Sequence, residues 1–197
     1  MQEEIERRSN AQRSAEMRAR LVAAARALFV AQGFAATSTP AIVEAAGVTR
    51  GALYHHFADK AAIFRAVVEA EAAALADAIE AADRPEMTAA DRFLAGGLAY
   101  LRAMQAPGRV RLLLIDGPAV LGREGLRQVE AGHTEASLRR GVQEALAASA
   151  RPGVPAEALA SLLSAMFERA ALDIAEGGKA EDVEAAIGTV LQAVFRP

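Results

Sequence analysis

Apolar residues recur at helical spacing along most of this 197-residue chain. No segment alternates apolar and polar residues as a half-buried strand would, and the abundant alanine and leucine favour helix over strand. The first periodic segment, residues 14–32, ends at Gly33 and has one apolar face, formed by Met17, Leu21, Ala25, Leu28 and Phe29. The pattern therefore predicts an all-α fold of about nine helices.

Two short helices joined by a tight turn are predicted between residues 37 and 60. Thr39 is suited to cap the first helix, because its hydroxyl can accept a backbone N–H, and Pro40 follows where a missing N–H costs nothing. Gly47 permits the backbone angle of a sharp turn, and Thr49 can cap the second helix. This is the layout of a helix–turn–helix, whose second helix enters the DNA major groove.

The second helix of this pair, residues 50–57, has an inward and an outward face. Leu53 and Phe57, four residues apart, are expected to face the core, and Asp59 opens the next helix with Lys60 in its first turn. The outward residues are Arg50, Gly51, Ala52, Tyr54, His55 and His56.

Six further helices are expected from residue 59 onward. The segment 109–121 is apolar nearly all round, which indicates a central position, and Gly117-Pro118 is expected to interrupt it. The six predicted segments are 59–82, 88–105, 109–121, 122–149, 156–176 and 181–195.

Composition narrows the possible classes of protein. Hydrophobic residues make up 53% and charged residues 24%, which favours a substantial core over disorder. Cysteine is absent, which excludes disulfides, thiol catalysis and thiolate metal sites. No charge-free apolar run approaches 18 residues and no apolar signal region is evident, so we expect no membrane span and a cytoplasmic location.

The charge is distributed unevenly, although its total is only −3. Residues 1–65 hold nine Lys or Arg against six Asp or Glu, a net charge of +3. The remaining residues hold thirteen against nineteen, a net charge of −6. This asymmetry is typical of a protein that approaches phosphates with one end only.

Residues 17–68 resemble the DNA-binding segment of the tetracycline-repressor (TetR) family of bacterial transcriptional regulators. The residues that carry the resemblance are Thr37-Ser38, Ile42, Ala45-Ala46-Gly47-Val48-Thr49, Gly51, Leu53-Tyr54, His56-Phe57 and Lys60. The resemblance implies a three-helix DNA-binding head at 1–62 and a six-helix domain for ligand binding and dimerisation at 63–197. It also implies a homodimer, double-stranded operator DNA and a small-molecule effector as partners.

Arg50 is the residue best suited to recognise a base, because a guanidinium can pair with guanine O6 and N7. Gly51 and Ala52 keep the helix slim, and His55 could contact either a base or a phosphate. By resemblance, Tyr54, His56 and Lys60 contact phosphates. Hydroxyl or backbone N–H contacts with DNA are expected at the starts of both helices of the helix–turn–helix, from Thr37, Ser38, Thr39 and Thr49. Pro40-Ala41 stand where many members of the family have polar or charged residues.

The segments after the head supply candidates for an effector site and a dimer interface. An apolar ligand is expected between the 59–82 helix and segments 93–121 and 163–174. The candidate ligand residues are Phe93, Tyr100, Leu101, Met104, Leu113, Asp116 and Phe167. By resemblance, the last two helices form a four-helix interface, with Leu159, Leu163, Phe167, Ile187, Val190 and Val194 as its candidate residues.

Enzymatic interpretations have little support. His133, with Glu130 and Glu135 near it, is most simply a solvated residue, and no phosphate-binding glycine loop, HExxH pair or nucleophile elbow is found. We therefore predict a dimeric repressor, not an enzyme, without cofactor or metal. The alternative is a ligand-binding or scaffold protein that has the same head but does not bind specific DNA. A small hydrolase is a weaker third hypothesis.

Overall fold

The computed structural model describes residues 2–149 and 153–195, with side chains from residue 10 onward except at 130 and 131. Every regular element in this described part is helical, as predicted. Nine α-helices and one π-helical turn follow in the order α1 Gln2–Ala36, α2 Thr39–Ala46, α3 Arg50–His56, α4 Lys60–Glu80, α5 Ala89–Met104, π-helix Arg111–Asp116, α6 Gly117–Ala131, α7 Thr134–Ala148, α8 Ala156–Ala175 and α9 Ala180–Phe195.

The head is built by α1, α2, α3 and the first turns of α4. The α1 face predicted from the sequence is confirmed, since Leu21, Ala25 and Phe29 are fully buried. The Phe29 and Phe64 rings meet edge to face with centroids 5.2 Å apart. Each large, fully buried side chain of this kind contributes about 1.5–3 kcal/mol, so these contacts hold the helices of the head together.

The body is formed by α5 to α9 around the far half of α4. Helix α5 packs against α4, α7, α8 and α9, which places it at the centre of the body. Thr88 caps α5, and its hydroxyl accepts a hydrogen bond from the Asp91 N–H at 3.2 Å. Because α4 runs from the head core to the body, one continuous helix connects the two.

The middle of the chain differs from the sequence prediction in two places. The helical path continues through Gly117-Pro118 and breaks at Gly122, where φ is 69°. Pro118 is the second residue of α6, one residue after Gly117, which directly follows the π-helical turn. The single helix expected at 122–149 is also divided, because α6 ends at Ala131 and α7 begins at Thr134.

One helical segment of the described chain, Asn10–Ala36 within α1, is long and apolar enough to cross a membrane by length and composition alone. Its most buried residues, however, pack inside the head, as Leu21 and Phe29 do. We therefore interpret α1 as a core helix of the head.

Candidate DNA interface and ligand cavity

The helix–turn–helix is fixed by a hydrogen-bonding cap at the start of each helix. Ser38, not Thr39, caps α2: the Ala41 N–H donates to Ser38 Oγ at 3.3 Å. Thr39 is the first helical residue, so the prediction for its cap was one residue too late. The Thr49 cap of α3 is confirmed, with 3.2 Å between its Oγ1 and the Ala52 nitrogen.

The turn between α2 and α3 depends on Gly47, whose φ of 62° lies in the left-handed region that glycine favours. Its conformation ends α2, and Val48 packs back against the core. A side-chain contact that no sequence pattern indicated supports the same turn. Arg20 of α1 donates through Nη2 to the Ala46 carbonyl at 2.7 Å, which satisfies one of the unpaired carbonyls at the end of α2.

Helix α3 faces outward on the side predicted. Leu53 and Phe57 are buried, whereas Arg50, Gly51, Tyr54 and His55 are exposed; Ala52 and His56 are half-buried. The Arg50 guanidinium lies over the Tyr54 ring, 5.5 Å from its centroid. Hydrogen bonds with Thr39 and then with Arg50 lower the pKa of Tyr54. Thr39, Arg50 and Tyr54 therefore form one polar cluster across the starts of α2 and α3.

Lys60 and Thr37 contact the chain itself. The Lys60 ammonium donates to the carbonyls of Phe34 and Thr37, both at 2.8 Å, and lies 4.3 Å from the centroid of the Phe34 ring. Thr37 is buried, and its hydroxyl donates to the Gly33 carbonyl at 2.8 Å. Both side chains therefore have partners within the head, whereas the sequence pattern predicted contacts of both with DNA.

A cavity of about 760 Å³ lies in the body between α4, α5, the π-helical turn, α7 and α8. Four of the seven predicted ligand residues line it: Phe93, Tyr100, Leu113 and Phe167. Leu101 and Met104 are instead buried in the core, and Asp116 forms an ion pair with Arg111 at 3.3 Å.

The cavity wall contributed by α7 was not predicted. Leu138 and Gly141 line it from this helix, together with polar residues near its mouth. No sequence pattern indicated this wall, because apolar positions are sparse in the segment 122–149. The mouth also holds ion pairs, such as Arg92 with Glu144 at 3.2 Å.

The candidate dimer residues divide by exposure. Leu163, Phe167 and Ile187 are buried within this chain, at 4–5% exposure. Leu159 and Val194 are half-buried, and Val190 is 44% exposed. Leu162, which the sequence analysis did not select, is 70% exposed. The outward apolar face of α8 and α9 therefore includes Val190, which was predicted, and Leu162, which is adjacent in sequence to the predicted but buried Leu163.

Among the residues that the structure describes, no group of three or more His, Asp or Glu side chains could hold a metal ion. His133 lies directly before α7 and is half-buried; the side chain of Glu130 is outside the description.

Comparison with known proteins agrees with this geometry. Residues 21–67 match the family described as bacterial regulatory proteins, tetR family, and residues 90–197 match the tetracyclin repressor-like C-terminal domain. The transcriptional regulator AcrR of Shigella flexneri is 44% identical over 62 residues, which cover 32% of this chain and 29% of AcrR. The match to this regulator thus spans less than a third of its length.

Solved structures match over nearly the whole chain. A TetR-family regulator from Pectobacterium atrosepticum is 31% identical with a TM-score of 0.71, over 94% of this chain and 95% of that one. RolR in complex with its ligand resorcinol has a TM-score of 0.69 at 17% identity, over 94% of this chain and 90% of that one, which shows a shared fold. Proteins of the matched family are DNA-binding transcription regulators, which are generally not enzymes. The chain belongs to the TetR family of bacterial transcriptional regulators.

Proposed function

We propose that this regulator is a homodimeric repressor that binds a palindromic operator and leaves it when a small organic molecule enters the body cavity. The observation that carries the proposal is the outward face of α3, which presents Arg50, Tyr54 and His55 while Leu53 anchors the helix in the head core. The excess of positive charge in residues 1–65 supports the approach of this end to phosphates. The division at 62/63, a cytoplasmic location and the absence of a cofactor are part of the same proposal.

The polar residues of the head can be assigned to bases or to the phosphate backbone. Arg50 is proposed to pair with a guanine, and the aromatic ring beneath its guanidinium limits the directions in which it can extend. Ser38, Thr39, Thr49, Tyr54, His55 and His56 are assigned to phosphates or flanking bases, with Gly51 and Ala52 allowing close approach. Thr37 and Lys60 are proposed to contribute through the position of the α2 start and not through their side chains.

The test of this assignment compares two arginines. Arg50→Ala is expected to weaken binding to the operator by about 1–3 kcal/mol and to relax the base preference at one position of each half-site. Arg123→Ala, an exposed substitution in the body, is the control and should leave both unchanged. Titrations of labelled operator and random duplex at several salt concentrations measure the effect. Equal binding of the parent and the Arg50→Ala variant to both duplexes would refute the role of α3.

A second copy of the chain is proposed to pack on the outward face of α8 and α9. This face carries Leu162, Ala165, Ala186, Val190 and Ala193, all exposed in the single chain. Small and apolar side chains permit close packing of helices. A two-fold dimer would place two α3 helices on one face of DNA, which a palindromic operator requires.

The effector is proposed to be a mostly apolar small molecule held between α4, α5, α7, α8 and the π-helical turn. Phe93, Leu113 and Phe167 supply apolar walls, and Tyr100 adds a polar group. RolR holds resorcinol within the same fold, which supports a cavity of this kind. Leu113→Trp should partly fill the cavity, so that added effector no longer changes operator binding, while Arg123→Ala should respond to effector as the parent does. If Leu113→Trp responded as the parent does, the effector would bind elsewhere.

A further inference from the structure

A buried carboxylate lies at the boundary between the head and the body. Glu71 on α4 is 5% exposed, and both of its oxygens accept charged hydrogen bonds. Arg26 of the head helix α1 donates through Nε to Oε1 at 2.5 Å. Arg109, between α5 and the π-helical turn, donates through Nε to Oε2 at 2.7 Å. One side chain thus joins the head, the connecting helix and the body.

The two arginines extend these links to backbone carbonyls of the body. Arg26 Nη2 donates to the Pro107 carbonyl at 3.1 Å, and Arg109 Nη1 donates to the Ala103 carbonyl at 2.7 Å. Because a guanidinium offers several donors in a fixed plane, each arginine transmits a change of position from one partner to the other. The segment between α5 and the π-helical turn is therefore fastened to α1 as well as to α4.

A second contact joins the same two regions through van der Waals packing. A Cβ atom built on Gly33, near the end of α1, would overlap the Arg111 guanidinium. A Cβ atom on Gly108 would likewise overlap the methyl groups of Val30. The absence of side chains at the two glycines lets the end of α1 lie directly on residues 108–111.

The π-helical turn has a different neighbour on its other side. Leu113 and Leu114 line the body cavity, two and three residues after Arg111. A π-helical turn holds one residue more than the α-helical path around it, and such turns are frequent at functional sites. Conversion of this turn to a regular α-helix would shift the register of the residues that follow it.

We infer that Arg26, Glu71, Arg109 and Arg111 form a junction through which occupancy of the cavity changes the position of the head. The inference rests on the proposed function, and it assigns the coupling to these residues in addition to α4. An occupant that displaces Leu113 and Leu114 moves Arg111 against Gly33 and Arg109 against Glu71. Coupling of two sites requires an element with two arrangements that both sites influence; in this inference the two arrangements are the π-helical turn and a regular helix.

The probe for this inference is Leu138→Trp, which fills the cavity from α7, on a wall that does not include the junction. Hydrogen exchange of the full-length protein is measured for amides 26–37, with and without the probe substitution. We expect the probe to accelerate exchange there by roughly fivefold, the lower end of coupling between sites. The same probe is then combined with Glu71→Gln, with Arg26→Gln and with the control Arg102→Gln.

Each double variant is compared with the single variant that lacks Leu138→Trp, so the comparison gives the effect of the probe on exchange when one junction contact is absent. The junction predicts that Glu71→Gln or Arg26→Gln reduces the effect to less than half. Arg102→Gln, which removes an exposed ion pair with Glu184 between α5 and α9, should leave it intact. Arg26 is one-third exposed, so its variant provides the result if Glu71→Gln does not fold.

Two results would overturn the inference. Either the probe leaves exchange of amides 26–37 unchanged in the parent background, or its effect persists undiminished in both junction variants, which assigns the coupling to α4 alone. Operator binding is measured on the same proteins. If exchange shows the coupling but no variant or parent binds specific DNA, the junction stands and the proposed function fails.

Discussion

Lys60 shows how a single side chain serves the stability of the DNA-binding head. Its ammonium donates to the Phe34 carbonyl in the last turn of α1 and to the Thr37 carbonyl directly after that helix, so a residue of α4 completes the end of another helix. The order of residues around Lys60 predicts an exposed cation in a first helical turn. The carbonyls that it reaches lie 23 and 26 residues earlier, and only the tertiary fold brings them together.

Replacement of this lysine is expected to act on folding first. Lys60→Met should lower the free energy of unfolding by about 1.5–3 kcal/mol, the usual contribution of hydrogen bonds to a charged group. Lys179→Met, at the exposed start of α9, is the matched control and should change stability by less than about 0.5 kcal/mol. Urea unfolding followed by circular dichroism measures both variants. Equal stability of the Lys60→Met variant and the parent would contradict the capping role.

Ser38 and Thr39 form a second comparison between neighbouring residues. Ser38→Ala should destabilise the protein by about 1 kcal/mol, because the Ala41 N–H loses its partner at the start of α2. Thr39→Ala removes no cap and should cost less, while it weakens DNA binding because Tyr54 loses the Thr39 hydroxyl that helps to lower its pKa. Thermal unfolding and operator titration separate the two effects. A larger stability loss for Thr39→Ala would return the cap to the position expected from the sequence.

At the scale of elements, the sequence predicted helices and their buried sides best where a helix has a single apolar face that packs within one domain. The α1 face, the turn at Gly47 and the starts of α3 and α4 at Thr49 and Asp59 were predicted correctly for this reason. Helix α8 is harder, because it is apolar on two sides. Periodicity alone does not distinguish the side that contacts α5 from the side that remains exposed, so Leu163 was chosen for the interface although it is buried.

The two sides of α8 can be tested with adjacent leucines. Leu162→Asp places a charge on the exposed side and should give a folded monomer whose melting temperature at low concentration is close to that of the parent. Leu163→Asp places the charge in the core, where an unpaired carboxylate is costly, and should give unfolded or insoluble protein. Analytical ultracentrifugation and circular dichroism report assembly and folding separately. A dimeric Leu162→Asp protein would exclude this face as the interface.

At the scale of the whole molecule, the cavity depends on an arrangement that no local pattern specifies. Its α7 wall exists because the chain breaks after Ala131 and folds back over α5, whereas the sequence suggested one helix through this region. Leu101 and Met104 share the apolar face of α5 with Phe93, yet they contact the core instead of the cavity. The class of fold and the outward face of α3 follow from the sequence, but the cavity lining requires the packing of five elements.

The junction between head and body leads to a prediction about pH. Burial alone would raise the pKa of the Glu71 carboxyl, but hydrogen bonds from Arg26 and Arg109 outweigh burial and hold that pKa below its ordinary value. A carboxylate with a depressed pKa in the folded state stabilises the protein above its ordinary pKa, which is about 4.3. This contribution is lost as the pH falls from there through the folded-state pKa.

Glu71→Gln should therefore be less stable than the parent by about 2–3 kcal/mol at neutral pH, because two arginines lose their buried partner and one of them stays partly hydrated. The difference should remain constant between about pH 6 and pH 8 and should shrink below about pH 4.3, where the parent begins to lose the contribution of the ionised carboxylate. Glu184→Gln, which removes the exposed pair with Arg102, should cost less than about 1 kcal/mol at neutral pH. Urea unfolding of the three proteins across this pH range measures the differences. A Glu71→Gln difference that stayed constant down to pH values where the parent unfolds, or one no larger than that of Glu184→Gln, would show that the ionised Glu71 does not hold the head and the body together.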